Sequence, residues 1–117
     1  GNPVLAAGSP SIGLIPNCVQ NAVNILDYGM DIETSVHRPR FGAQSLASMA
    51  GGPASYMCEI DCGTPEMHKE IAKRGLNLTL TSPWHFHYGS YEGVHIKPDG
   101  TAEACADPRR TGRAEAA

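Results

Sequence analysis

Apolar residues recur at helical spacing over residues 14–26. Leu14, Ile15, Cys18, Val19, Ala22, Val23, Ile25 and Leu26 form a broad stripe, and Asn17, Gln20, Asn21, Asn24 and Asp27 fall on the opposite face. Pro16 sits in the first turn, where its missing N–H costs nothing, and Gly29 is a natural stop. Residues 3–7 read as a buried strand whose near-continuous apolar character implies cover on both faces. Asp31 caps a second, short helix to Val36, which Pro39 ends. From 42 to 54 the composition shifts to Ala, Ser and Gly, which predicts a loop. Residues 56–60 predict a strand. Thr64 and Pro65 open a helix that runs to Arg74 and stops at Gly75. Leu76, Leu78 and Leu80 alternate with polar residues as in a half-buried strand. Residues 91–96 and 101–106 predict a hairpin across Lys97-Pro98-Asp99-Gly100. The expected class is α+β with antiparallel pairing at the end, and no repeat or domain boundary divides residues 1–117.

Composition narrows the function classes. With 41% hydrophobic and 18% charged residues among 117, the chain can contribute to a core and is not a disordered tail. A net charge of −3 argues against an electrostatic nucleic-acid binder, and the only dense basic group is Arg109, Arg110 and Arg113 near the C-terminus. No apolar stretch approaches the roughly 18 residues of a membrane span. The chain starts at Gly1-Asn2-Pro3 without an initiator Met. That start suits a chain released by proteolysis or a truncated one, and the missing leader says nothing about compartment. Cys18 falls on the apolar helix face as a small core residue. Cys58 and Cys62 do not have zinc-knuckle spacing; a disulfide, a metal pair and unrelated thiols stay open, with plain thiols the default.

The candidate chemistry centres on Gly8-Ser9-Pro10-Ser11-Ile12-Gly13. A strand that passes through a Gly- and Ser-rich turn into a helix gathers unpaired backbone N–H groups at the positive end of the helix dipole. Such a turn can hold an anion or a developing oxyanion, although turns of this kind are often only caps. Ser9 and Ser11 do not form a G-x-S-x-G nucleophile elbow, and no Gly-Lys-Ser/Thr follows as in a phosphate loop, so capping is their simpler role. His85 and His87 in Trp84-His85-Phe86-His87-Tyr88 share one face if the segment is extended. Lacking carboxylate or thiolate partners in sequence, they suggest a loop lining a pocket or an interface. His37, His68 and His95 read as surface or packing residues. With no closed ligand set and no cofactor fingerprint, neither a metal nor an organic cofactor is expected.

Gly8-Ser9-Pro10, Asp27-Tyr28-Gly29, Pro39-Arg40-Phe41 and Ala106-Asp107-Pro108-Arg109-Arg110-Thr111-Gly112 occur in a fixed order. In combination they resemble the C-terminal part of the small subunit of the γ-glutamyltranspeptidase family of N-terminal nucleophile (Ntn) hydrolases. The resemblance spans nearly the whole chain, more loosely over residues 43–55. It implies part of a four-layer αββα sandwich completed by companion chains of the same processed precursor or complex. It also implies amide cleavage or acyl transfer through an acyl-enzyme on an N-terminal threonine, whose α-amino group serves as base. Gly1 has no nucleophilic side chain, so the nucleophile belongs to a companion chain. The family's Gly-Ser-Pro-Gly-Gly donates two backbone N–H groups to the oxyanion, and those positions are Ser11 and Ile12 here. The resemblance therefore places Ser11, Ile12 and Gly13 as oxyanion donors and Ser9, Ser11 and Ile12 at the substrate. Backbone donors survive any non-proline substitution, but losing two glycines removes conformational freedom and space, which suggests an acyl group other than γ-glutamyl. The substrate class is a small amide or γ-glutamyl-like compound. In the same family Asp107, Arg109 and Arg40 are expected as architectural anchors. The alternative is a non-catalytic structural or binding subunit that keeps the fold.

Overall fold

A computed structural model of the chain describes residues 1–10 and 13–115. The elements run β1 (Leu5–Gly8), α1 (Leu14–Leu26), α2 (Ile32–His37), β2 (Phe41–Gln44), α3 (Leu46–Met49), β3 (Tyr56–Glu59), α4 (Pro65–Lys73), β4 (Leu78–Thr81), a 3-10 turn (Phe86–Tyr88), β5 (Glu92–Ile96) and β6 (Ala102–Ala106). They form two three-stranded sheets of mixed helix-and-strand architecture, in the orders β1-β5-β6 and β2-β3-β4. The first sheet is antiparallel, with Leu5 opposite His95 and Glu92 opposite Ala106. In the second, β2 runs antiparallel to β3, and β4 runs parallel to β3 with Cys58 opposite Leu80.

Local chemistry sets the helix starts. Asp31 Oδ1 accepts from Thr34 N–H at 2.7 Å, and Thr64 Oγ1 accepts from Met67 N–H at 3.2 Å, with Pro65 at the first helical position. The segment expected as a loop over 42–54 instead contains β2 and α3. Ser45 explains the second: its hydroxyl accepts from Ser48 N–H and starts a one-turn helix. Segment 3–7 differs too. Among the described residues β1 is an edge strand, paired with β5 alone, and Ala6, Ala7 and Gly8 are exposed.

The largest departure concerns α1. The face buried inside this chain carries Asn17, Asn21 and Ile25. The apolar stripe looks outward, with Ile15 71%, Val19 55% and Leu26 50% exposed. Ile25 packs with Ile32, Val36 and Tyr91 against the first sheet, and Met57 and Tyr88 form a second, smaller cluster. Among the described residues seven apolar side chains are buried and eighteen large ones are exposed, so much apolar surface is left uncovered. Its radius of gyration, 15.3 Å, exceeds the roughly 13 Å of a compact domain of this length.

Buried charge joins the two sheets. Glu59, at the end of β3, is fully buried, as are Arg40, Asp107 and Arg109 within a few per cent. Arg109 grips Glu59 with two parallel bonds, Nε to Oε1 at 2.8 Å and Nη2 to Oε2 at 2.6 Å. Arg40 Nη1 is paired with Asp107 Oδ2. Asp107 also accepts from Tyr91 N–H at 2.8 Å and Arg109 N–H at 3.0 Å. Two guanidinium groups and two carboxylates sum to zero, which is what makes their burial tolerable. Burial and the neighbouring Arg109 cation pull the Arg40 guanidinium below its ordinary value. Burial also acts downward on Arg109, but its hydrogen bond and attraction to Glu59 leave it raised.

Candidate functional site

The described ends of the turn between β1 and α1, Ser9-Pro10 and Gly13, are each held by other parts of the chain. Ser9 is buried; its Oγ donates to Pro10 O at 3.3 Å and accepts from Asn17 Nδ2 at 2.8 Å. Asn21 Nδ2 donates to Asn17 Oδ1 at 2.9 Å, and Ser35 Oγ donates to Asn21 Oδ1 at 2.8 Å. A chain of side-chain bonds thus runs along the inner face of α1, from the turn to α2. It explains why asparagines occupy the buried face: each satisfies the next, as buried polar groups require.

The second support is the loop before β5. A Cβ on Gly13 would lie 2.9 Å from His87 O and 3.1 Å from Tyr88 Cα, so backbone packs directly on backbone. Gly89 has φ +84° and ψ −172°, a region essentially reserved for glycine. A Cβ there would collide with Ser9 Oγ and approach Pro10 O to 2.9 Å. Replacing Gly89 by Ala is therefore expected to cost about 1–3 kcal/mol from backbone strain alone. Gly8→Ala, which meets no neighbour within 4 Å, should change stability by less than about 0.5 kcal/mol. Chemical denaturation of both variants in the complete protein checks the contrast; equal midpoints would refute it.

That loop is in turn fixed by the charged cluster and the C-terminal motif. Glu59 Oε1 accepts from His85 N–H at 2.9 Å, and Arg110 Nη2 donates to Phe86 O at 3.2 Å. His85 and His87 do not share the face of an extended strand. They flank the 3-10 turn, with ring centroids 4.8 Å apart and His85 Nδ1 accepting from His87 N–H. Burial, then the charges of His85 and Arg110, hold His87 below the ordinary imidazole value. Among the described residues no group of three or more His, Cys, Asp or Glu is arranged to hold a metal ion, and no helix is long and apolar enough to cross a membrane.

The expected site residues come out as follows. Ser9 has its hydroxyl bonded within the chain. Gly13 stands at the N-cap of α1, its carbonyl accepting from Asn17 N–H at 2.9 Å. Ser11 and Ile12 lie outside the described residues. Among the described residues α1 has no side-chain cap, unlike α2, α3 and α4, and no acidic residue in its first turn, unlike α2 and α4. Among the described residues no side chain caps its positive end. Glu59 was not foreseen. A lone carboxylate closing the apolar strand Tyr56-Met57-Cys58 was the available signal.

Comparison with known proteins gives the fold and the family. The chain is 26% identical over 110 residues to the glutathione hydrolase proenzyme of Escherichia coli K12, covering 93% of this chain and 17% of that protein. A solved acivicin-inhibited γ-glutamyltranspeptidase superposes with a TM-score of 0.73 at 23% identity, over 92% of this chain and 54% of the other. The γ-glutamyltranspeptidase of Pseudomonas nitroreducens complexed with L-DON superposes with a TM-score of 0.76 at 18% identity, over the whole of this chain and 57% of the other. These likenesses show a shared fold, and the chain spans little more than half of the solved chains and a sixth of the proenzyme. The γ-glutamyltranspeptidase family model matches residues 1–117 from end to end, and the chain belongs to that family.

Proposed function

We propose that this chain is the C-terminal portion of an Ntn amidohydrolase or acyltransferase and supplies the oxyanion side of its active site. An amide carbonyl is attacked by the N-terminal threonine of a companion chain, whose α-amino group takes the hydroxyl proton. The tetrahedral oxyanion is stabilised by backbone N–H groups around Ser11, Ile12 and Gly13. The amine leaves, and water or a second amine releases the acyl group. Ser9 contributes by holding the turn, with Ser11 and Ile12 beside the acyl group. The observation that carries this reading is an α1 N-terminus with no side-chain cap among the described residues, with Ser9 held by Asn17 and Gly13 packed on the 87–88 backbone. Rigid donors are the kind that stabilise developing charge without reorganisation.

The uncovered stripe on α1 supports the companion chains, which complete a four-layer sandwich against it. The 117-residue chain alone should accordingly not give a monodisperse monomer with a cooperative melt, as read by light scattering and calorimetry. Val19→Asp should abolish assembly with the companion, because it places a charge in a buried apolar contact. A cooperative monomeric melt of the isolated chain would overturn the expectation.

The replacement of two family glycines by Ser11 and Ile12 favours one second reading, a subunit that keeps the fold without the chemistry. Rapid-quench mass spectrometry of the complete protein with a γ-glutamyl amide and with an uncharged acyl amide separates the two. An acyl adduct on the companion's N-terminal residue, with amine release, is expected. Absence of adduct and turnover across a panel of acyl amides would favour the structural subunit.

A further inference from the structure

Outside the turn, two thiols and an imidazole meet at the end of β3. Cys62 N–H donates to Glu59 O at 2.8 Å, and this tight turn folds Cys62 back beside Cys58. Cys58 Sγ lies 3.6 Å from Cys62 O and 3.8 Å from His68 Nε2. His68 Nε2 is 2.7 Å from Cys62 O, a contact that requires the proton on Nε2 in the neutral ring. Both cysteines are free thiols, and each is close enough to alter the other's ionisation. Cys58 is buried and Cys62 is half-buried.

We propose that Cys58 and Cys62 form a reversible dithiol–disulfide pair, oxidised by exchange with a low-molecular-weight disulfide. Cys62, the more accessible sulfur, reacts first. Its thiolate attacks one sulfur of the small disulfide, a protein–small-molecule S–S bond forms, and the other half leaves as a thiolate that takes up a proton. Cys58 then gives up its proton to solvent and attacks Cys62 Sγ. The Cys58–Cys62 bond forms, and the second small thiolate leaves and is protonated. The protein loses two electrons and two hydrogens, and the small disulfide becomes two thiols. Burial pushes the Cys58 thiol up to about 12, which keeps it protonated in the first encounter, so its own attack depends on the mixed disulfide on Cys62 being held beside it. The His68 ring, held by Cys62 O, lies 3.8 Å from Cys58 Sγ. Ring closure would pin the turn next to Glu59, the carboxylate on which Arg109 and the His85 loop depend.

The test uses the complete protein, equilibrated in glutathione buffers of graded oxidised-to-reduced ratio, acid-quenched, alkylated and peptide-mapped. The peptide spanning residues 58–62 should lose the mass of two hydrogens, resist alkylation and recover both with dithiothreitol. Cys18 and Cys105 serve as internal comparisons. Cys58→Ser should leave a stable glutathione adduct on Cys62, whereas Cys62→Ser should leave Cys58 as a thiol over the same range. The proposal is overturned if both wild-type cysteines stay alkylatable under fully oxidising buffer, or if the Cys62 adduct forms and never closes.

Discussion

Replacing Glu59 by glutamine is expected to cost about 3–5 kcal/mol of stability, the usual consequence of stripping one partner from a buried ion pair. Four donors converge on this carboxylate. Arg109 Nε and His85 N–H share Oε1, while Arg109 Nη2 and Arg40 N–H share Oε2. A carboxylate accepts all four. An amide offers one oxygen, and whichever end carries the NH2 group confronts two N–H donors. The cluster also goes from neutral to a buried net positive charge, with Arg40 and Arg109 both enclosed. Because the loss equals much of the stability of an ordinary domain, the variant should fail to assemble or melt far below the parent. Glu70→Gln is the comparison. Its partners Lys73 and Arg74 lie at 3.7 and 3.4 Å on an exposed helix face, where such pairs contribute less than about 1 kcal/mol. Urea denaturation of the complete protein measures both. A Glu59→Gln midpoint indistinguishable from that of Glu70→Gln would mean that the cluster does not hold the sheets together.

The effect should reach the site, because the cluster and the turn are mechanically linked. Glu59 fixes His85, the 87–89 backbone packs on Gly13, and Arg110 holds Phe86 O. The Asp107-Pro108-Arg109-Arg110 segment therefore has a physical route to the turn.

The sequence made some of this legible and hid the rest for physical reasons. α1, α2, α4 and the terminal hairpin announce themselves through local signals: period, caps, and the Lys97–Gly100 turn. Which face of α1 lies inside the chain was not legible. The rule that apolar faces turn inward assumes that a chain supplies its own core, and here Asn17 and Asn21 take that place while Val19 awaits cover. β2 and α3 were obscured because Ala, Ser and Gly give no periodic contrast, so a four-residue strand and a one-turn helix leave no pattern. The cluster's ion pairs Arg109–Glu59 and Arg40–Asp107 join residues 50 and 67 positions apart, a separation no local motif encodes. Arg40 and Asp107 were legible as anchors only through their place in family motifs. The His85–His87 segment misled because alternation suggests extension, whereas Glu59 captures the His85 N–H and the chain curls into a 3-10 turn.

Ile12→Pro is expected to lower kcat by about 100- to 1000-fold, roughly 3–4 kcal/mol of barrier, as when one oxyanion donor is removed. The reasoning depends on the backbone, not the side chain. Isoleucine keeps the N–H that glycine would offer, and proline alone deletes it. The flanks are anchored independently, Ser9 by Asn17 and Gly13 by the 87–88 backbone, so assembly should change little. Proline also restricts the residue before it, so Ile12→Ala is needed beside it; alanine keeps the donor and should retain most of the parent kcat. Because the donor acts on charge that develops in the transition state, KM should move far less than kcat. A separate variant addresses the acyl group. On the proposed reading, restoring glycine at both Ser11 and Ile12 should retain hydrolysis and extend the range toward γ-glutamyl amides, because glycine has no side chain to narrow an acyl pocket. Steady-state kinetics on paired γ-glutamyl and uncharged acyl amides, with assembly followed by size-exclusion chromatography, decides both points. A proline variant that assembles and turns over at the parent rate would remove Ile12 N–H from the oxyanion site. A glycine variant with unchanged acyl preference would show that Ile12 does not narrow the pocket.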